Sequence, residues 1–509
     1  MSSPKPLFRK VLVANRGEIA IRICRTLSEM GIGSVTVFSD ADRSAPHRLA
    51  ADLAIPIGGT TAAESYLRID AILEAARRSG AEAIHPGYGF LSENARFAAA
   101  VADAGLVFIG PGADAMAKLG SKAGARQVAI AAGVPVVPGF DGHLDGDAAW
   151  LQKAREIGFP LMIKSSAGGG GKGMRMVDRE ADFLDALAAG RREAKASFGD
   201  DRMILERRVF PARHVEVQIL GDAHGRVVSL HERECSVQRR HQKVLEEAPS
   251  PAVDPELRKR MGAAAVRLGE AVGYRNAGTV EFLLDDKGGF YFLEVNTRLQ
   301  VEHPVTECVT GLDLVRLQLG IAAGHKLDDM LAGRDLSPRG WAIEARIYAE
   351  APEQGFLPAA GRLSCVREAE GPGVRVDSGV VDGSEVSVHY DPMLTKLIVH
   401  APDRRAACAR LARALRDSTY LGIPTNVDFL RRVVEDARFV DAKLRTDFLD
   451  LAPELVAPVE APVPDAVFVA AGLAAMLGEG SRGSGAPQGA TTESLFQSVG
   501  ALRLFGGEA

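Results

Sequence analysis

A chain that reads Thr279-Val280-Glu281-Phe282-Leu283-Leu284 and then Phe290-Tyr291-Phe292-Leu293-Glu294-Val295-Asn296, on either side of Asp285-Asp286-Lys287-Gly288-Gly289, has to fold back on itself. Two apolar, β-prone runs around a polar, glycine-containing turn are a hairpin signal. Closing that hairpin puts Glu281 and Glu294 on facing strands. Glu294 and Asn296 share one face, because side chains alternate along a strand. Opposed carboxylates repel, so a plain sheet avoids them unless a cation lies between. Oxygen donors of this kind suit Mg²⁺, which takes one or two carboxylates together with substrate phosphates. A solvated hairpin edge is the competing reading. Against it stand Arg298, Gln300, Glu302 and His303, a dense polar group directly after an apolar strand.

The 509 residues allow roughly two to four domains. A hydrophobic content of 46%, a charged content of 25% and a net charge of −5 are those of an ordinary globular protein without a broad basic surface, so nucleic acid is not an expected partner. No apolar run approaches the ~20 residues of a membrane helix. The polar start at residues 1–10 shows no secretory signal. The five cysteines, Cys24, Cys235, Cys308, Cys365 and Cys408, have no zinc spacing and read as reduced thiols of an intracellular protein.

Strand and helix alternate over residues 8–115. Strands are expected at 10–15, 34–38, 83–85 and 107–110, and helices at 18–30, 69–78 and 94–104, with Ile19, Ile23 and Leu27 at helical spacing. This is a doubly wound α/β layout. Asn15-Arg16-Gly17-Glu18 is not Gly-x-Gly-x-x-Gly, which argues against a dinucleotide site. Farther on, strands are expected at 342–348, 386–389 and 396–400 and a helix at 404–415. Residues 455–464 and 478–492 have linker composition around a short helix at 466–477.

Residues 159–164 form a strand ending in Lys164, followed by Gly168-Gly169-Gly170-Gly171-Lys172-Gly173 and a returning strand at 175–177. A Walker A loop needs Gly-Lys-Ser/Thr and a helix, so this is not a P-loop. A glycine hairpin still cradles phosphate through close backbone N–H groups and moves as a lid. The basic segment 231–243 carries no interleaved aromatics, which favours anion binding in a cleft over RNA.

Together, Ala14-Asn15-Arg16-Gly17-Glu18-Ile19-Ala20, the lid at 164–174 and Glu294-Val295-Asn296-Thr297-Arg298-Leu299-Gln300-Val301-Glu302-His303-Pro304 resemble the biotin carboxylase component of biotin-dependent acyl-CoA carboxylases, an ATP-grasp family. His85-Pro86-Gly87-Tyr88-Gly89-Phe90-Leu91-Ser92-Glu93-Asn94, Arg239-Arg240-His241-Gln242-Lys243 and Tyr390-Asp391-Pro392-Met393-Leu394 fit the same family, and the resemblance spans about residues 8–450. It implies a mixed α/β and α+β chain. An N-terminal Rossmann-like (pre-ATP-grasp) domain would occupy 1–115 and an ATP-grasp domain 116–335, with its lid at about 137–210. A biotin carboxylase C-terminal domain would follow at 336–450, then a linker and the start of a truncated domain at 451–509.

The resemblance also implies chemistry. ATP and bicarbonate give carboxyphosphate, which decarboxylates in the site, and N1 of biotin captures the CO₂. Lys122, Lys164, Gly170, Gly171, Glu206, His214, Gln238 and His241 are implied to contact ATP. Glu281, Glu294 and Asn296 would hold Mg²⁺ or Mn²⁺. Lys243, Arg298, Gln300, the Val301 backbone and Glu302 would surround bicarbonate, with Glu302 as general base. Arg346, on one strand face with Glu344, and Arg298 would stabilise anions, including the enolate of biotin. Lys243, Arg298, Glu302 and Arg346 form the implied catalytic set. Ser121 stands where many members carry Asp, and Arg207 where a lysine is common. The family attaches biotin within Ala/Val-Met-Lys-Met, and no Met-Lys-Met occurs here. Biotin is therefore expected as a substrate on a separate carrier, or on a part cut away. Residues 491–507 resemble the start of the linking region in methylcrotonyl-CoA and propionyl-CoA carboxylase α subunits.

A carrier, a carboxyltransferase subunit and a homodimer or larger complex are the implied partners, with no membrane. The implied location is the cytoplasm, or the mitochondrial matrix in a eukaryote, although no transit peptide is evident. Another ATP-grasp carboxylate ligase is the alternative. It would share the lid and metal glutamates without needing Arg298, Val301-Glu302 and Arg346 together. A non-catalytic scaffold is a third reading, disfavoured because each expected catalytic position holds a competent residue. The acyl-CoA is chosen by a carboxyltransferase outside this sequence.

Overall fold

The structure is a computed structural model that describes residues 7–166, 174–239, 242–458 and 465–479. The hairpin closes as its turn residues dictate. Asp285 Oδ1 accepts from the backbone N–H of Lys287 (2.9 Å) and Gly289 (2.7 Å), and Gly288 takes the left-handed φ of +77° that the turn needs. The flanking strands are Asn276–Asp285 and Phe290–Asn296, with Glu281 directly opposite Glu294. That pairing depends on a bulge. Near the turn Phe282 faces Phe292, so an unbroken ladder would put Glu281 opposite Leu293; the register shifts between Glu281 and Phe282 instead.

The N-terminal alternation forms a parallel sheet in the order Leu53–Pro56, Gly33–Phe38, Lys10–Val13, Ala83–His85, Val107–Phe108. One of these strands, Leu53–Pro56, was not expected from the sequence. It is a four-residue edge strand with one buried residue, too short for a periodic signal. Helices Gly17–Glu29, Ile69–Ser79 and Ala95–Asp103 follow their strands, the last capped by Asn94 through Phe97 N–H. The first strand-to-helix turn is closed by side chains. Asn15 donates to the Pro86 and Tyr88 carbonyls (2.7 and 2.8 Å), and Arg16 makes a two-pronged pair with Asp42.

Among the described residues, the largest sheet has eight strands: Phe290–Asn296, Asn276–Asp285, Ala212–Gly221, Val227–Arg239, Gln242–Ala248, Trp341–Tyr348, Met393–Ala401 and Val374–Ser378. The expected boundary near residue 335 falls between two of its paired strands, where Ala248 faces Ala342. A smaller sheet, Gly139–Phe140, Met203–Arg207, Leu161–Ser165 and Arg175–Val177, carries Lys164 and Glu206. The strand expected at 386–389 is a two-residue piece, Glu385–Val386, paired with Gly361–Arg362. Residues 387–389 lack a partner strand.

Residues 1–457 form one compact unit and 458–509 a second, in which the helix Asp465–Glu479 is described. Among the described residues no helix is long and apolar enough to cross a membrane. All five cysteines are free.

Helix Pro255–Ala271 covers the central sheet. Asp254 caps it by accepting from Leu257 N–H (2.8 Å), and Pro255 is pre-organised at the first helical position. Asp254→Ala is expected to cost about 1 kcal/mol, read as a lower urea midpoint with an unchanged slope. An unchanged midpoint would show that the cap is not felt.

Candidate functional site

Strand Ala212–Gly221 explains why a site forms here. His214, Glu216 and Gln218 alternate with Val215, Val217 and Ile219, yet both faces are buried. A strand buried on both faces with one face polar has to satisfy those groups internally. Arg233 lies opposite Glu216 on the next strand and donates to it (2.5 Å), and to Gln218 and Thr306 (2.9 Å each).

Lys243 is the hub. Its ammonium donates to Glu216 (2.5 Å), Glu302 (2.6 Å) and Glu281 (3.0 Å), so one cation serves three buried carboxylates. Burial alone would lower the lysine, but the surrounding thiol and carboxylates reverse this and hold it well above its usual value. Glu302, with 0% exposure, bonds Lys243 through Oε1 and Arg346 through Oε2 (2.9 Å). Burial would raise its carboxyl. Lys243, Arg346 and Arg233 outweigh that and keep it well below the ordinary range.

Glu281 Oε2 pairs with His214 Nε2 (2.8 Å), and its Oε1 accepts from Asn296 Nδ2 (2.8 Å) and Gln300 Nε2 (3.3 Å). Burial pushes Glu281 up, while Lys243 and His214 pull it below the ordinary range. His214 is raised in turn: burial lowers it, but Glu281 prevails. Glu294 takes an ion pair from Lys122 (3.0 Å). Glu281, Glu294 and the Asn296 amide oxygen are hard oxygen donors on one sheet face, a donor set that fits a Mg²⁺-sized ion carrying phosphate oxygens. His214, Glu216 and Glu281 also bring potential ligand atoms within 4.8 Å of one another.

Arg298 is fixed from outside the hairpin. It donates to Glu93 (3.0 Å), Gln300 (2.8 Å) and Asn296 (3.3 Å), and Glu93 also accepts from Thr297 N–H (2.9 Å). The Val301 carbonyl accepts from Lys396 (3.0 Å), a fully buried lysine that also pairs with Glu18 (3.3 Å). Val301 thus meets a lysine some 95 residues farther along the chain.

A second cluster lies at the small sheet. Lys164 pairs with Glu206, and Lys122, Lys164 and Glu206 line a cleft floored by Val136, Ile204, Phe292 and Leu293. An apolar floor with three cations, Arg126 being the third, and a carboxylate suits a flat ring attached to phosphates. Lys122 joins both clusters, since it lines this cleft and also holds Glu294. Ser121 supports it as a helix cap, accepting from Gly124 N–H (3.1 Å). Gln238 pairs with Lys243 across its strand pair. Gly170, Gly171 and His241 lie outside the described residues.

The sequence suggests no role for Glu93, Glu216, Glu246 or Lys396, and places Arg233 only within the anion-binding segment 231–243, whereas it is fully buried against Glu216, Gln218 and Thr306. For Glu216 a signal existed, the polar alternation in a buried strand. For Arg233, Glu246 and Lys396 none did, because each lies in strand text that is ambiguous until its neighbours are known.

Three family models match the chain: "Biotin carboxylase, N-terminal domain" over residues 7–116, "Carbamoyl-phosphate synthase L chain, ATP binding domain" over 121–330, and "Biotin carboxylase C-terminal domain" over 344–451. The chain is 50% identical over 451 residues to the mitochondrial methylcrotonoyl-CoA carboxylase subunit alpha of Rattus norvegicus, covering 88% of this chain and 62% of that one. It spans about 62% of the length of the curated relatives it matches. Among solved structures, the biotin carboxylase domain dimer of Hydrogenobacter thermophilus 2-oxoglutarate carboxylase, in complex with MgADP, ADP and bicarbonate, aligns with TM-score 0.84 and 41% identity over 89% of this chain and 100% of that one. A biotin carboxylase–β,γ-ATP complex from Campylobacter jejuni aligns with TM-score 0.83 and 42% identity over 87% and 99%. With three family models in succession along the chain, and solved biotin carboxylase structures of 41–42% identity covered nearly end to end, the chain belongs to the biotin carboxylase family.

Proposed function

We propose that this chain carboxylates biotin, using ATP and bicarbonate through carboxyphosphate, as the first half-reaction of an acyl-CoA carboxylase. One observation carries the reading. Lys122 pairs with Glu294, Glu294 faces Glu281 across the strand pair, and from Glu281 an unbroken chain of ion pairs runs through Lys243 and Glu302 to Arg346. It links a phosphate-binding end to an anion-binding end, as the activation of one anion by transfer of a phosphoryl group requires. Lys122, Lys164, Glu206, His214 and Gln238, with Gly170, Gly171 and His241, bind ATP. Glu281, Glu294 and Asn296 hold Mg²⁺, which neutralises phosphate charge when bound.

Lys243, Arg298, Gln300, the Val301 backbone and Glu302 receive bicarbonate. Glu302 is ionised before substrate arrives, and its low basicity comes from Lys243 and Arg346. A bicarbonate anion that draws Lys243 to itself weakens its pair with Glu302 and raises the carboxylate toward the basicity that proton removal needs. Arg346 stabilises the charge that develops on biotin.

The domain divisions at 115, 335 and 450 are our reading of how this machinery is organised. The expected partners are a biotin carrier, a carboxyltransferase subunit and a second copy of this chain. The compartment is the cytoplasm, or the mitochondrial matrix in a eukaryotic source.

The test is ATP turnover by the purified chain with Mg²⁺. We expect turnover that depends on bicarbonate, rises with free biotin, and falls about 10²-fold or more in Arg298→Ala, as when one preorganised donor is lost. Turnover indifferent to bicarbonate and biotin would instead mark another ATP-grasp ligase.

A further inference from the structure

Glu246 and Glu344 face each other directly across the strand pair Gln242–Ala248 and Trp341–Tyr348. Both side chains are essentially without solvent exposure. Neither Glu344 oxygen accepts a hydrogen bond. Glu246 Oε1 lies 2.5 Å from the Arg346 guanidinium, so Arg346 is its direct partner, while Glu344 has none among the described residues. Two ionised carboxylates in that position would be like charges, buried, with a cation in direct contact with only one of them, at a cost of several kcal/mol by general experience with buried ions. Paired carboxylates in proteins settle this by retaining a proton.

The charges around them are few. Arg346 stands two residues from Glu344 on the same strand, and Lys243 lies on the strand of Glu246. Lys396 projects from the neighbouring strand opposite Arg346. Glu302 caps helix His303–Thr310, which packs on the strand of Glu344 and carries His303, Glu307 and Cys308. Glu307 is committed to Arg22 and Arg375, and Lys243 is shared among three other carboxylates. That leaves Arg346, and Lys396 at longer range, for two glutamates.

We infer that Glu246 and Glu344 hold one proton between them, resident on Glu344, and that the singly charged pair is the positioning counter-ion of Arg346. One negative charge anchors the guanidinium beside Glu302. A doubly charged pair would add a further repulsion against any anion that approaches Arg346. Burial pushes Glu344 well above the ordinary carboxyl range, helped by Glu246 and opposed by Lys396 and Arg346. Glu246 is pushed up less far, by burial and by Glu302 against Arg346 and Lys243, so it is the first of the pair to ionise. Raising the pH through the elevated range of Glu344 then removes the retained proton and adds a second negative charge beside Arg346, so affinity for the substrate of Arg346 falls on the alkaline side. The role for Arg346 rests on the proposed biotin chemistry; the shared proton does not.

Two readouts on the full chain separate these points. Infrared difference spectra between pH 6 and pH 9 should show a protonated-carboxyl band that Glu344→Gln removes. Glu246→Gln should keep the band but move its loss to lower pH, since a neighbouring like charge is gone. In kinetics with free biotin, Glu344→Gln should keep kcat and lose the alkaline rise in biotin KM. Glu246→Gln, which strips Arg346 of its anchor, should raise biotin KM about tenfold, the effect of roughly 1.4 kcal/mol. A wild-type band set unchanged by both substitutions would overturn the shared proton. If one variant does not fold, the other still decides between these outcomes. A removed band with an unchanged alkaline KM profile would overturn the positioning role. A chain with the titrating band but no biotin-dependent turnover would fail the functional reading alone.

Discussion

Lys243→Met is expected to destabilise the chain by about 3–5 kcal/mol at neutral pH, the range for removing one partner from a buried ion pair. The ammonium is the common partner of Glu216, Glu281 and Glu302, which are 0–5% exposed in their side chains. Methionine fills the same volume without the charge. Glu216 keeps Arg233, Glu281 keeps His214 and Glu302 keeps Arg346, but the three carboxylates then face one another uncompensated.

The pH dependence follows from the directions of the shifts. In the parent chain Glu281 and Glu302 are depressed, so their contribution to stability is present above the unfolded carboxyl value of about 4.5. It is lost as the pH falls through their folded values. In Lys243→Met the same carboxyls lose their main depressing charge, and mild acid then stabilises by relieving repulsion. Urea unfolding at pH 5, 7 and 8, with and without Mg²⁺, reads this directly. Mg²⁺ should recover part of the loss, because a divalent ion between Glu281 and Glu294 replaces some of the missing charge. A variant within about 1 kcal/mol of the parent at pH 7 would show that the ammonium is not the hub its contacts suggest.

Glu302→Gln carries the second large effect, this one on turnover. The substitution keeps size, removes the charge, and leaves one acceptor oxygen for Lys243 or Arg346 while turning an NH₂ donor toward the other. Bicarbonate-dependent ATP turnover should fall about 10²–10⁴-fold, the usual contribution of a positioned proton acceptor. The KM for ATP should change little, since Lys122, Lys164 and Glu206 line a separate cleft. Stability should fall less than in Lys243→Met, because Lys243 retains two carboxylates and Arg346 retains Glu246. Steady-state kinetics at saturating bicarbonate measures it. Turnover within tenfold of the parent would exclude Glu302 as the base and leave it an anchor for Lys243 and Arg346.

The hairpin and its turn were legible because Asp285 to Gly289 has one good local solution and the flanking runs have one period. The polar string from Arg298 to His303 was legible as a site because such density after an apolar strand has no use in a core. The family motifs then carried the chemistry to named residues. The alternation at 8–115 was legible except for Leu53–Pro56, an edge strand of four residues too short to show a period. Residues 386–389 misled because the alternation Val-Ser-Val-His looks the same whether or not a partner strand reaches it.

Local signals thus determined that a hairpin forms and that carboxylates gather on it. Tertiary structure decided what those groups face. Glu281 meets Glu294 because a bulge at Leu293 shifts the ladder by one residue, and without it one of the two would point to the other side of the sheet. Arg298 is aimed by Glu93, 205 positions earlier in the chain. Lys243 finds three carboxylates on other segments, and Glu246 finds Glu344 almost a hundred residues away. Whether a charged side chain is solvated, paired or made to keep its proton depends on what lies within a few ångströms of it. Local periodicity carries the conformation of a segment but not the charges that distant segments bring against it.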